Sequence, residues 1–195
     1  MVVRFLRSFL RTHPSLLTLH FLSCFLPSRW AVTHAIGDFV LTCPNRHAAR
    51  LLAAKNTSAW AYYFNHTPQS SVNDRDTAAI GAFHGAEVPF VWNDLFELAP
   101  GGERNLSRSM VTYWTNFAWS GDPNTRGEVS TLSVAQNLPK WPRFTNYTKD
   151  GVGTFLVFGD PADDAPRSTV PNISTVTGLK TRLCDVWDAV YAYGN

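Results

Sequence analysis

Gly81-Ala82-Phe83-His84-Gly85-Ala86-Glu87-Val88-Pro89-Phe90-Val91-Trp92 sets a histidine between small residues, immediately before an apolar run able to open a helix. An imidazole titrates near neutrality and exchanges protons at working pH, which makes His84 a candidate general base. Upstream, residues 67–80 are polar and contain Pro68, Ser70, Ser71, Asn73 and Asp74, the chemistry of a loop. Before that loop, Ala59 to His66 (Ala-Trp-Ala-Tyr-Tyr-Phe-Asn-His) is rich in aromatics and reads as a strand. Its bulky residues on both faces predict a strand inside a sheet. A reactive residue on a loop that leaves a strand is the usual arrangement of open α/β folds.

Downstream of His84, Asn105 to Ser120 carries Leu106, Met110, Tyr113, Trp114 and Phe117 on one helical face, with Ser107, Arg108 and Thr115 elsewhere. Gly121 and then Pro123 stop that helix. Trp141-Pro142 leads through a polar loop to a short buried strand, Thr154-Phe155-Leu156-Val157-Phe158. A second polar loop, Asp160 to Thr175, precedes a last amphipathic helix with Leu179, Leu183, Val186, Trp187 and Val190. On the N-terminal side, Ile36, Phe39, Val40 and Cys43 recur at helical spacing, although Gly37 weakens the pattern. Pro44 suits the first turn of a new helix, Asn45 to Ala54, with Ala48, Leu51 and Leu52 as its apolar side. This inventory, about five helices and two strands that are not hairpin partners, leaves strand edges uncovered. Part of the sheet is therefore expected elsewhere.

A chain of 195 residues with 45% hydrophobic residues and seven tryptophans is long and apolar enough to bury a core. Its net charge of +2 is unevenly distributed. Arg4, Arg7, Arg11 and Arg29 fall in residues 1–30, which hold no acid, so the remainder is mildly acidic. No basic block interleaved with aromatics appears, which argues against a nucleic-acid partner. Residues 1–30 also contain the apolar run Leu16 to Leu26, stopped by Pro27. That layout is signal-like but lacks a small-x-small cleavage site, and the run is too short to span a membrane. A signal-like anchor, a gene-start artefact and an ordinary buried helix all remain open for it. Five Asn-x-Ser/Thr acceptors (Asn56, Asn65, Asn105, Asn146 and Asn172) fit either a secreted glycoprotein or a Thr-rich chain. Three cysteines leave one thiol over after any single bridge.

Several segments together resemble one family. Asp38-Phe39-Val40-Leu41-Thr42-Cys43-Pro44 is similar to its Asp-x-x-x-x-Cys-Pro segment, and Phe83-His84-Gly85-Ala86-Glu87 to its His-Gly-x-Glu helix start. Leu106-Ser107-Arg108-Ser109-Met110, Tyr113 to Ala118 and Gly121-Asp122-Pro123-Asn124 resemble its long helix and following turn. Trp141-Pro142 and Cys184-Asp185-Val186-Trp187 also fit. In that order, over about residues 31–191, they resemble the C-terminal third of a type-B carboxylesterase, the α/β-hydrolase family that includes cholinesterases and fungal lipases. The expected fold is α/β: a C-terminal fragment of an α/β-hydrolase, mostly helices with two or three strands of the larger sheet. Residues 31–195 are then part of a carboxylesterase domain, with 1–30 unmatched.

The resemblance implies that His84 is the base of a Ser–Glu/Asp–His triad, taking the serine proton during attack and returning it to the leaving alcohol. It implies a disulfide between Cys43 and Cys184, closing a loop whose entropic restraint is worth roughly 4 to 5 kcal/mol. The alternative is two buried thiols in a reducing compartment. Glu87 is either a partner holding the His84 loop or an acid in the first turn of a helix. The histidines His13, His20, His34, His47 and His66 belong to no motif and read as surface or core filler.

The sequence departs from the family at one decisive place. It contains no Gly-x-Ser-x-Gly and no Gly-rich oxyanion loop, so a chain with the base alone is expected to be inactive. Three functions follow as expectations: a carboxylic ester hydrolase of which this chain supplies the base, a non-catalytic adhesion or binding relative, or a truncated fragment without independent function. None requires a cofactor or a metal. The implied partner is a small ester or lipid substrate within a complete enzyme, and the oligomeric state is open.

Overall fold

The computed structural model describes residues 28–69, 80–92, 97–125, 138–145, 153–159 and 172–193. Along the chain these form α1 (Ser28–Gly37), a π-helical segment (Asp38–Thr42), α2 (Cys43–Ala54), β1 (Ala61–Asn65), α3 (Val88–Trp92), α4 (Gly102–Ser120), β2 (Thr154–Gly159), β3 (Ile173–Thr177) and α5 (Thr181–Tyr193). The sequence-based expectations for residues 70–79, for Asn146 and for the apolar run ending at Leu26 fall outside the described residues. The chain divides into two compact units, one of residues 1–59, 145–153 and 178–195, the other of residues 60–144 and 154–177.

The first unit is helical. The Cys43 N–H reaches back to the Asp38 carbonyl, a bond one residue longer than an α-helix makes. Cys43 opens α2 with Pro44 in its first turn, where a missing N–H costs nothing. Cys43 and Cys184, both fully buried, are joined as a disulfide with Cα atoms 5.0 Å apart, and Trp187 packs with them. Around this staple lie ion pairs. Arg46 meets Asp185 at 2.8 Å and Asp188 at 3.5 Å, Arg50 meets Asp188 at 3.2 Å, and Lys180 meets Asp38 at 2.9 Å. The buried side of α2 is thus Cys43, Arg46 and Ala49, whereas Ala48, Leu51 and Leu52, expected as its apolar side, are exposed. The helical period was right and the inward face was not. A guanidinium satisfied by two carboxylates takes the inward place that a leucine was expected to fill.

The second unit holds the sheet and the long helix. β1 pairs with β2 in parallel, Tyr63 opposite Val157, and β2 pairs with β3 antiparallel, Leu156 opposite Thr175. The order β1-β2-β3 makes β2 central, and Phe155 to Gly159 are all buried. β1 was expected inside a sheet, but among the described residues it pairs on one side only. β3 lies partly within the expected loop Asp160 to Thr175. Ile-Ser-Thr-Val-Thr carries too little apolar contrast to announce a strand, and its partner β2 makes it one. The Thr154 and Thr177 hydroxyls bond across that pair at 2.9 Å.

α4 follows the expected pattern, with Leu106, Met110 and Tyr113 buried and Gly121 in the left-handed conformation at its end. Its face joins Phe90, Leu98, Trp141, Leu156 and Phe158 in one aromatic-rich core. Trp141 fixes that core by donating its ring N–H to the Ala61 carbonyl at 3.1 Å, which satisfies a polar atom that burial would otherwise penalise.

Candidate functional site

His84 sits in a turn between Ile80 and α3, with its side chain exposed. The turn is tied to the helix by a ladder of backbone bonds. The Ala86 N–H donates to the Phe83 carbonyl (3.0 Å), Val88 to Gly85 (3.1 Å) and Phe90 to Glu87 (3.0 Å). Gly85 has φ +86°, a conformation that side chains disfavour, so the residue after His84 is a glycine for a backbone reason. Ala86 and Phe90 are fully buried. The result is an imidazole in the open on a turn whose next few residues are anchored beneath it.

Glu87 is half-buried three residues along from His84. The clearest effect of its charge falls on Tyr62, whose phenol is pushed above its ordinary value first by burial and then by that carboxylate. Glu87 is the residue just before α3, whose first turn holds no acid.

Phe90 leads to the support of the turn. Its ring lies 5.1 Å from Phe64 and 5.7 Å from the ring of His66, nearly perpendicular to the latter. Its carbonyl accepts the Ser107 hydroxyl at 2.7 Å. His66 closes the exit of β1, and its Nε2 meets Oε1 of the buried Glu103 at 2.8 Å. The same oxygen accepts the Gln69 N–H at 2.8 Å, and Oε2 accepts the Ala99 N–H at 2.7 Å. Burial opposes the charge on Glu103, but the bonds from His66, Ala99 and Gln69 outweigh it and hold the carboxyl below the usual range. An ionised carboxylate only accepts, which makes His66 the donor at Nε2.

In the sequence His66 reads as filler, and nothing singles out Glu103. No motif joins residues 66 and 103, so only Asn65-His66 at a strand end hinted at a polar group needing a partner. Gly159 supports the same corner. It has φ +117°, and a Cβ there would stand 2.5 Å from the His66 backbone nitrogen, so only glycine lets β2 pass the β1 exit.

Of the other expected sites, Cys43 and Cys184 are brought together as above. Asn56, Asn105 and Asn172 are exposed, while Asn65 is half-buried and pairs with Gly159 in the sheet. Among the described residues no group of three His, Cys, Asp or Glu is arranged to hold a metal, and no helix is long and apolar enough to cross a membrane. An open hollow of about 340 Å³ is lined by Glu97, Leu98, Arg104, Ser107 and Arg108, none of them in the His84 turn.

The sequence is 34% identical to carboxylesterase 5A of Felis catus over 118 residues, covering 56% of this chain and 20% of that one. It is 31% identical to the acetylcholinesterase of Bungarus fasciatus over 165 residues, covering 83% of this chain and 23% of that protein. The solved structure of an esterase from Clostridium hathewayi, described as hydrolysing aliphatic aromatic polyesters, aligns over 75% of this chain and 24% of its own, with a TM-score of 0.49 and 19% identity. The chain spans about a fifth to a quarter of the length of these proteins. The carboxylesterase family profile matches residues 26–159, more than half of the chain and including the whole His84 turn, and the chain belongs to the carboxylesterase family.

Proposed function

We propose that the chain is the part of a carboxylic ester hydrolase that supplies its general base, His84, and that the serine, its acid partner and the oxyanion donors belong to polypeptide outside these residues. The observation that carries this reading is the turn itself, an exposed imidazole on a backbone anchored by the buried Ala86 and Phe90. A base must reach the proton it abstracts, so its ring has to be accessible while its backbone stays still. In the reaction, Nε2 or Nδ1 of His84 takes the hydroxyl proton of a serine as it attacks the ester carbonyl. The imidazolium then returns that proton to the departing alcohol, and the cycle repeats with water.

Residues 31–195 are read as the C-terminal part of the catalytic domain. The Cys43–Cys184 bridge and the exposed acceptors Asn56, Asn105 and Asn172 support a secreted glycoprotein, because such bridges persist in oxidising compartments.

The purified chain, assayed on a short-chain nitrophenyl ester, is expected to give only background hydrolysis. Clear turnover abolished by His84→Ala would overturn the assignment of the nucleophile to other polypeptide. The base role is tested by grafting the part of this chain that aligns with the acetylcholinesterase of Bungarus fasciatus, 83% of it, into that protein in place of the matching segment. The graft is expected to hydrolyse the ester and to lose about 10⁴-fold or more in kcat on His84→Ala, as enzymes do when one member of a triad is removed. An active graft indifferent to that substitution would refute the role.

A further inference from the structure

We infer that Glu103 and His66 form a buried clasp that positions His84, a role that rests on the reading of His84 as the base. Glu103 is fully buried in the first turn of α4, and three donors converge on it from different stretches of chain. His66 comes from the exit of β1, Gln69 from the loop that leaves it, and Ala99 from the approach to α4. The His84 turn lies in sequence between the first two donors and the third, so one carboxylate bonds chain on either side of it. Ordinary closure of a helix start accounts for the Ala99 bond, four residues back, but not for bonds to residues 34 and 37 positions away.

The clasp reaches the turn through aromatic contact. His66 presents its ring to Phe90 while its Nε2 holds Glu103. Phe90 is six residues after His84, and its N–H bonds the Glu87 carbonyl within the ladder that includes Gly85 and Ala86. One helical turn beyond Glu103, Ser107 bonds the Phe90 carbonyl. Two side chains of α4 thus converge on Phe90 in α3, Ser107 through its carbonyl and Glu103 through the His66 imidazole. Neither touches a reacting atom. They are positioning residues, and a general base displaced by about 1 Å loses much of its effect.

The test is made on the purified chain by amide exchange and by the side-chain resonances of His84, identified by their loss in His84→Ala. In the unaltered protein the Gln69 and Ala99 amides are expected to be protected, although neither lies in a helix or strand. Exchange as fast as in exposed loops would overturn the clasp. Glu103→Gln offers one acceptor oxygen where the carboxylate offered two. It is expected to lower both protections about tenfold or more and to shift or broaden the His84 ring signals. His66→Gln keeps a donor at the Nε2 position and removes the ring. It is expected to leave Ala99 protected while still moving the His84 signals, and it carries the test if Glu103→Gln does not fold. His84 signals unmoved in every folded variant would reduce the clasp to a structural bond and leave the base reading standing. An active graft indifferent to His84→Ala would remove the base reading and leave these spectra unchanged.

Discussion

The helical unit around Cys43 and Cys184 and the sheet unit around Leu156 and Phe158 are held together by opposite means. The helical unit buries a small apolar cluster, Cys43, Cys184 and Trp187, and relies on a covalent bridge and on the ion pairs of Arg46, Arg50 and Lys180. Its helices meanwhile expose Val32, Ile36, Val40, Leu51 and Leu52, each at least 45% accessible. The sheet unit buries eight large side chains in one cluster and interlocks Tyr62, Tyr113, Trp114, Trp141 and Phe158 edge to face. The proposed catalytic turn belongs to the unit that buries the larger apolar core. Among the described residues the helical unit leaves those apolar side chains exposed, and the bridge joins α2 to α5 covalently.

The largest effect that would break this contrast is loss of the bridge. Cysteines 141 residues apart in sequence close a loop worth about 5 kcal/mol if the restraint is entropic. Replacing both by alanine is expected to unfold the helical unit at lower denaturant while β1 and β2 keep their amide protection. Loss of both units in one transition would show that they share a single cooperative core. Titration is a smaller effect that sharpens the comparison. The depressed carboxyl of Glu103 contributes stability above its ordinary value of 4.5, lost as pH falls through the lower folded value. Tyr62 and Tyr113, pushed upward by burial, contribute stability below pH 10 that is lost as pH rises through their raised folded values. The unfolding midpoint of the sheet unit is therefore expected to fall at both ends, and Glu103→Gln should flatten the acid limb alone. A midpoint independent of pH at the acid end would mean that the carboxyl is not held ionised by its three donors. The smallest effect is Leu51→Ser on the open face of α2. It is expected to change stability by no more than about 0.5 kcal/mol while lowering the binding of a hydrophobic dye. A loss of several times that amount would show that the face is packed.

Local pattern carried much of this fold. α4 was legible because its apolar residues repeat at helical spacing and Gly121 ends it, and β2 because a run of four bulky apolar residues, Phe155 to Phe158, has nowhere to go but inside. The His84 turn was legible from small residues before an apolar run. The Cys43–Cys184 pairing was legible only through the family resemblance, since three cysteines by themselves allow three bridges. β3 was missed because its residues are indifferent alone, and the inward face of α2 was misread because a leucine is assumed to be buried and an arginine is not.

Residue order alone was enough for the long helix and the buried strand, because each rests on neighbours within a turn or a strand, and for the family, because several separate segments match it in order. Tertiary structure decided which face of α2 turns inward, where β3 pairs, and that His66 and Glu103 meet where β1 ends and α4 begins. These outcomes depend on which distant group satisfies a buried charge or donor, and burial without such a partner is penalised far more than any local preference can offset. Residues 66 and 103 carry no mark of each other in the sequence, and only the folded chain, by closing β1 against the start of α4, makes them one device.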